Sequence, residues 1–466
     1  MPQIITIAVG TVFQDAGDAT RALEIAQGIV AYQPQDVKVR IVFLSRGSRF
    51  EERAKDLGFE IFKADPPMSG VGLHQDLKMK PGELVGEFSI AYELLKGEIK
   101  AYTEIKPDVV LYGFWPFGSI ARRMLEKEIP GICFLPLPIH ENLFDVMPDA
   151  PEEMKLLSYL PHNIRKSIIN HIPCRIRRCL PLLRHKNIDR AAQKLGWKRK
   201  PLMNIFDMLV SDITLVNDLY DFYEGGSFPG SFIFTGPVFS MPISSEVVDE
   251  SIRKVFHNVG STPRIFCSLG SSGTRDQLLE VVRIFTADTG LQWNAVILSP
   301  PSVCPIQDAR EVLGERDGVV LTEAFVPARL VNAMADVVVC HGGQGTIQTA
   351  ISSGTPLVGL ATQSEQQINL DHIAAFGAGI RVPQRQWKSE TIRQGISEVL
   401  SNKSYKAKAL KLKDLLSKNN GKIKSALAIW NFLRQRGIYN VPINESMFQI
   451  MTSTDLKKEM PVPKSE

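Results

Sequence analysis

Short apolar runs recur along this chain, each followed by a stretch whose apolar residues fall at helical spacing. That alternation is the pattern of parallel sheets covered by helices, and it leaves few other folds open. The first series of strand-like runs comprises Ile4 to Val9, Val37 to Leu44, Val109 to Tyr112, Ile132 to Leu135 and Ile213 to Val216. A second series starts afresh at "RIFCSLGSSG" and continues through Ala295 to Leu298, Val319 to Leu321, Val337 to Cys340 and Leu357 to Leu360. Between them, "FTGPVFSMPISSEVVDE" carries Gly236, Pro237 and Pro242 in a polar run, the punctuation of a linker. The expected architecture is therefore α/β, with two Rossmann-like domains. The first covers residues 1–241, the second covers 242–440 with C-terminal helices, and 441–466 form a flexible tail. With 466 residues the chain is long enough for two cores. Two such domains joined by one linker create a cleft at the carboxyl ends of both sheets, where folds of this kind bind ligands.

Composition narrows the function classes. Apolar residues make up 44% and charged residues 22%, ordinary values for a globular protein. The amino-terminal "MPQIITIAVG" enters a strand pattern without a basic leader, and no run is long and apolar enough for a membrane span, so a cytoplasmic location is expected. Six cysteines form no C-x-x-C pair; Cys133, Cys267 and Cys340 lie inside apolar runs and read as reduced core residues. The net charge of +4 is unevenly spread: residues 162–200 hold twelve Lys or Arg against one acid, Asp189. This is a solvated helical face or, since Ile and Leu are interleaved, a peripheral contact with an anionic membrane. No nucleic-acid-binding module accompanies it, so nucleic acid is not an expected partner.

The stretch "HGGQGTIQTAISSGTP" follows a strand and opens a helix. Glycines 342, 343 and 345 let a ligand approach the backbone, and the first-turn N–H groups carry a partial positive charge, so this is an anion site. His341 and Thr346 add donors there. The chain lacks G-x-x-x-x-G-K-[ST], lacks G-x-G-x-x-G after its first strand and lacks any Asp-x-Asp pair. A diphosphate held by N–H groups and a histidine, without metal, remains.

The run from Glu323 to Val382 resembles the donor-binding region of the GT-B glycosyltransferases of the UDP-glycosyltransferase superfamily, the glycosyltransferase family 1 type. The resemblance is carried by Phe325-Val326-Pro327, by His341 to Thr346, by Gly354-Thr355-Pro356, and by Glu365-Gln366 with Asn369. It is good over roughly residues 232 to 383 and faint before that. It implies an inverting, metal-independent transfer of a sugar from a nucleotide diphosphate sugar, UDP by default, to a hydroxyl acceptor, with no cofactor. His341, Gly343, Gly345 and Thr346 would hold the diphosphate, Phe325 and Val326 would lie along the base, and Glu365 and Gln366 would bond sugar hydroxyls. Ser271, in the loop after "RIFCSLG", is a further candidate phosphate donor.

The same resemblance places the catalytic base after the first strand. No histidine stands in "AVGTVFQDAGDATRALEIAQGI", but Asp18 matches the family's aspartate after glycine, with Asp15 as its rival because the loop is long. An aspartate there also reads as a helix N-cap. For a small, lipophilic acceptor the candidates are Phe114, Trp115, His140 and Phe144; the aromatics equally read as packing residues. Two rival functions keep the same donor site: a nucleotide-sugar 2-epimerase, and a nucleotide-sugar-binding subunit without catalysis.

Overall fold

The computed structural model describes residues 2–69, 73–80, 83–180, 183–238, 247–257, 262–270, 273–286, 292–324 and 326–439. The chain divides into two compact units: Met1–Val146 with His171–Ser240 and Asn420–Glu466, and Met147–Asn170 with Met241–Asn419.

The first unit is built on a seven-stranded sheet in the order β3-β2-β1-β4-β5-β6-β7, every neighbour pair parallel. Its strands are β1 (Gln3–Val9), β2 (Val37–Ser45), β3 (Glu60–Lys63), β4 (Val109–Tyr112), β5 (Gly131–Leu135), β6 (Ile213–Val216) and β7 (Phe232–Phe234). The second unit has a six-stranded parallel sheet, β10-β9-β8-β11-β12-β13. These are β8 (Arg264–Ser268), β9 (Asn294–Leu298), β10 (Val319–Thr322), β11 (Val337–Cys340), β12 (Leu357–Gly359) and β13 (Gly379–Arg381). All expected strands are present. The expectation omitted β3, β7 and β13, which are three or four residues long and lie at sheet edges, too short to show a period.

Central strands are apolar throughout because helices cover both faces. In the first unit one face packs against the helix Phe88–Ile105, whose Leu94, Leu95 and Tyr102 are buried, and the other against Ala16–Ala31, whose Leu23, Ile25 and Ile29 are buried. Both sheets reverse strand order once, between β1 and β4 and between β8 and β11. Crevices open at such reversals, beyond the carboxyl ends of the strands, and ligands enter there.

Two segments lie outside the expected division. The last helix, Gly421–Gln435, packs on Ala16–Ala31 and completes the first unit, although its sequence follows the second series of strands. Conversely, residues 147–170 lie within the expected first domain by number and belong to the second unit. The expected linker near residue 242 and the tail 441–466 lie outside the described residues.

Candidate functional site

At the β1/β4 reversal the chain leaves β1 through Gly10 and Thr11 and enters the helix Ala16–Ala31. Its N-cap is Asp15, whose Oδ1 accepts the N–H of Gly17 at 2.9 Å and of Asp18 at 3.1 Å. The capping expected of Asp18 is thus performed by Asp15, and the Asp18 side chain is left for other contacts. Asp18 is buried; its Oδ2 accepts from Thr11 Oγ1 at 3.0 Å and its Oδ1 from Arg21 Nη2 at 2.6 Å. Burial raises the Asp18 carboxyl above the ordinary aspartate value of 3.8, with Arg21 pulling against it. Gly113, just past β4, closes over this group: a Cβ there would stand 2.6 Å from Asp18 Oδ2 and 2.5 Å from Thr11 Oγ1. The result is a carboxylate of raised basicity at the carboxyl ends of β1 and β4. Thr11 and Arg21, its two partners, were not singled out in the sequence, although Arg21 stands three residues on from Asp18 along the helix, where side chains meet.

The β8/β11 reversal holds the glycine-rich turn. His341 directly follows β11, and the N-cap of the helix Gln344–Ser352 is Gly343, which brings no side-chain cap of its own. Gly342 adopts a φ of +82°, open to glycine at no steric cost. The His341 ring fits between two glycines: a Cβ on Gly270 would come within 2.4 Å of Cε1, and one on Gly343 within 2.4 Å of Nε2. Around Gly345, by contrast, an added Cβ would meet nothing within 4 Å. His341 is buried and its Nδ1 has no hydrogen-bond partner among the described residues. Burial pushes the ring down to about 4, against a smaller opposing effect of the Ser268 backbone, so at neutral pH it is an uncharged imidazole. Thr346 is half-buried in the first turn of the same helix, and Val326 is buried.

A second helix, Ser364–Phe376, meets this turn. Asn369 Nδ2 donates to the carbonyl of Gly342 at 3.1 Å and to Glu365 Oε1 at 2.6 Å, which ties the Glu365 carboxylate to the glycine-rich turn. Gln366 is buried, and its Oε1 accepts from the N–H and the hydroxyl of Thr362 at 2.9 and 2.7 Å. Its amide oxygen is therefore engaged in the turn that starts the helix.

Residues 147–170 are fastened to the back of this assembly. Gln367 donates to the carbonyl of Ala150 at 2.9 Å and accepts the N–H of Glu152 at 2.8 Å. The buried guanidinium of Arg381 reaches three carboxylates, Asp371, Glu152 and, at 3.0 Å, Asp149, which also pairs with Arg165. Glu153 accepts the Ser364 hydroxyl, one residue before Glu365. None of Asp149, Glu152, Glu153, Gln367 or Arg381 was singled out in the sequence.

The remaining expected positions fall as follows. Trp115 is a core side chain, 1% exposed, with its indole N–H on the buried Glu98 at 3.3 Å and its ring 4.9 Å from that of Phe117. Phe144 is buried under the Arg177 guanidinium, 5.7 Å from its ring centroid. Both thus take the packing role. Phe114 is partly buried against the same core as Trp115. His140 is half-buried, caps a short 3-10 turn by accepting the Asn142 N–H at 3.1 Å, and lies edge-on to Phe228 and Phe232. Ser271 and Phe325 lie outside the described residues, and the helix after β8 is capped by Thr274 in a capping box with Gln277. The basic stretch 162–200 is broken into several helices. Its arginines find acids distant in sequence: Arg165 with Asp149, Arg177 with Asp145, Arg178 with Asp207 and Arg199 with Glu128.

Three histidines share one consequence. His185, His341 and His372 are buried, and burial lowers their rings to about 4, 4 and 3. Each then stays neutral in the folded chain while its unfolded counterpart protonates near 6.5. Stability is complete above that value and is lost as pH falls from about 6.5 to about 4, by up to about 3 kcal/mol per ring. Urea denaturation at pH 7 and at pH 4.5 should show this loss. His185→Gln, which keeps an acceptor for the Leu84 N–H, should flatten the slope by one proton.

Comparison with known proteins bears on the fold and the kind of activity. Residues 305–420 match the family model described as "Erythromycin biosynthesis protein CIII-like, C-terminal domain". The PGL/p-HBAD biosynthesis glycosyltransferase of Mycobacterium tuberculosis is 28% identical over 342 residues, covering 72% of this chain and 73% of that one. Among solved structures, the calicheamicin glycosyltransferase CalG4 superposes with a TM-score of 0.61 at 17% identity, over 94% of this chain and 100% of its own. The spinosyn rhamnosyltransferase SpnG, in complex with thymidine diphosphate, does so with a TM-score of 0.58 at 16% identity, over 92% and 100%. The chain is a glycosyltransferase of the GT-B type. In this glycosyltransferase the glycine-rich turn after β11 lies inside residues 305–420, which the family model covers, while Asp18 lies outside them.

Proposed function

We propose that this glycosyltransferase transfers a sugar, with inversion and without metal, from a nucleoside diphosphate sugar to a hydroxyl of a small, lipophilic acceptor. The observation that carries the donor half is the helix start capped by a glycine, Gly343, beside a neutral, buried imidazole. The N–H groups at the start of this helix face the diphosphate oxygens, and His341 donates a hydrogen bond as charge builds on the departing phosphate. Open space at Gly345 lets the phosphate approach the backbone. Glu365, held by Asn369, accepts from the sugar hydroxyls. Thymidine diphosphate in SpnG and the UDP of the resemblance are two donor nucleotides to try first.

The first unit supplies the base. Asp18, with its basicity raised by burial, takes the acceptor's hydroxyl proton as the oxygen attacks the anomeric carbon; the carbon–phosphate oxygen bond breaks and the nucleoside diphosphate leaves. Arg21 and Thr11 orient the carboxylate. Of the acceptor candidates, Phe114 and His140 keep part of their surface open.

The test is incubation with UDP- and TDP-sugars and a panel of hydroxyl acceptors, with nucleotide release and product mass as readouts. Release without acceptor would favour the epimerase; tight nucleotide binding with no turnover would favour the binding subunit. His341→Ala should raise the dissociation constant of the nucleoside diphosphate about tenfold, the worth of one charge-assisted hydrogen bond, and also slow transfer. Calorimetry showing unchanged affinity would remove His341 from the diphosphate site.

A further inference from the structure

Residues 147–170 form a strap with two unlike sides. Inward, the strap is fixed by polar contacts: Ala150 and Glu152 on Gln367, and Asp149 and Glu152 on Arg381; Asn170 Nδ2 on the Met147 carbonyl at 3.2 Å ties its two ends together. Ile169 is fully buried. Outward, it exposes Leu156 by 86%, Tyr159 by 79%, Ile164 by 48% and Ile168 by 38%. Single apolar side chains on a surface are ordinary. Here four of the thirteen large exposed ones among the described residues fall within thirteen positions of one anchored segment. They also pair by geometry: Leu156 and Tyr159 are three apart at a 3-10 turn, and Ile164 and Ile168 are four apart on the helix His162–Asn170.

We infer that this outer side of the strap docks on the surface of an anionic lipid bilayer. Charge selects that occupant. From Met154 to Ile188 the chain holds no Asp or Glu, and Lys155 and Lys166 are exposed beside the apolar residues. Arg165, which the composition would have counted with them, is spent on Asp149. Apolar tips with flanking lysines and an amphipathic tyrosine suit the boundary between headgroups and acyl chains. Among the described residues no helix is long and apolar enough to cross a membrane. This contact is independent of the chemistry proposed for donor and base.

The experiment is co-sedimentation of the full chain with vesicles of phosphatidylcholine mixed with phosphatidylglycerol, and with phosphatidylcholine alone. The wild type should bind the anionic vesicles, and less so as salt rises. Replacing Leu156, Tyr159, Ile164 and Ile168 together by serine should lower the bound fraction at least about tenfold with nucleoside diphosphate affinity unchanged, and Leu156→Ser, at the most exposed of the four, should lower it with the thermal midpoint unchanged as well. Lys155→Glu with Lys166→Glu should abolish the preference for anionic vesicles. Absence of wild-type binding, or equal binding by the serine variant, overturns the inference. A self-association seen by light scattering and lost in the serine variant would instead give the surface to a second copy of this chain.

Discussion

Replacing Asp18 by asparagine is expected to lower the transfer rate by about 10²–10⁴-fold, the usual contribution of a positioned general base, while leaving the affinity for a nucleoside diphosphate unchanged. The substitution keeps the size of the side chain under Gly113 and keeps an oxygen for Thr11, but removes the proton acceptor. Affinity is the control, since the diphosphate is assigned to the other unit. The pH profile adds a second check. Asp18 acts only when ionised, and burial raises its carboxyl above 3.8, so the acid limb of the wild-type rate should lie above the range of an ordinary aspartate. Asp15→Asn is the companion variant: asparagine caps helices about as well, so it should leave both rate and stability near the wild type. Full activity in Asp18→Asn would take the base elsewhere.

Arg381→Met is expected to cost about 3–5 kcal/mol of stability, the effect of removing one partner from a buried ionic cluster. Methionine fills much of the volume but leaves Asp149, Glu152 and Asp371 without the guanidinium that bridges them, with only Asp149 retaining Arg165. The sign with pH follows from Asp371. Burial already raises the Asp371 carboxyl against the pull of Arg381, and without Arg381 it rises further in the folded state. The deficit is then full at neutral pH and shrinks as pH falls and Asp371 protonates. Urea denaturation at pH 7 and pH 5 measures both. A loss below about 1 kcal/mol at pH 7 would show the cluster to behave like an exposed pair.

The sequence and the structure part company at particular residues. The central strands and the glycine-rich turn are readable because their signals are local: apolar runs between helical periods, and glycines at the start of a helix beside His341. Asp18 is readable only as one of two aspartates. Which of them caps the helix is decided by the path of a loop, and Asp15 comes first on that path. The strap escaped altogether. Glu152 and Asp149 meet Gln367 and Arg381 across 215 and 232 positions, and no local period records a contact of that separation. The partners of the basic stretch are hidden in the same way, since the acids that pair with it, Asp149, Asp207 and Glu128, lie outside it. Trp115 shows the opposite limit: an aromatic in a loop-like sequence reads as available, and only the buried Glu98 reveals why its ring turns inward.

The helix Gly421–Gln435 sets an order of events during synthesis. Ile429, Trp430, Phe432 and Leu433 complete the core of the first unit, and the Trp430 indole donates to the Ile29 carbonyl at 3.0 Å. On the ribosome, the first unit emerges without these side chains and must wait, with the apolar face of Ala16–Ala31 open, until residues 421–435 have been made. The second unit has no such debt and can close as its own strands appear. A nascent chain of this kind exposes an unfinished surface for the time needed to translate the intervening residues, the interval in which chaperones and proteases compete for it.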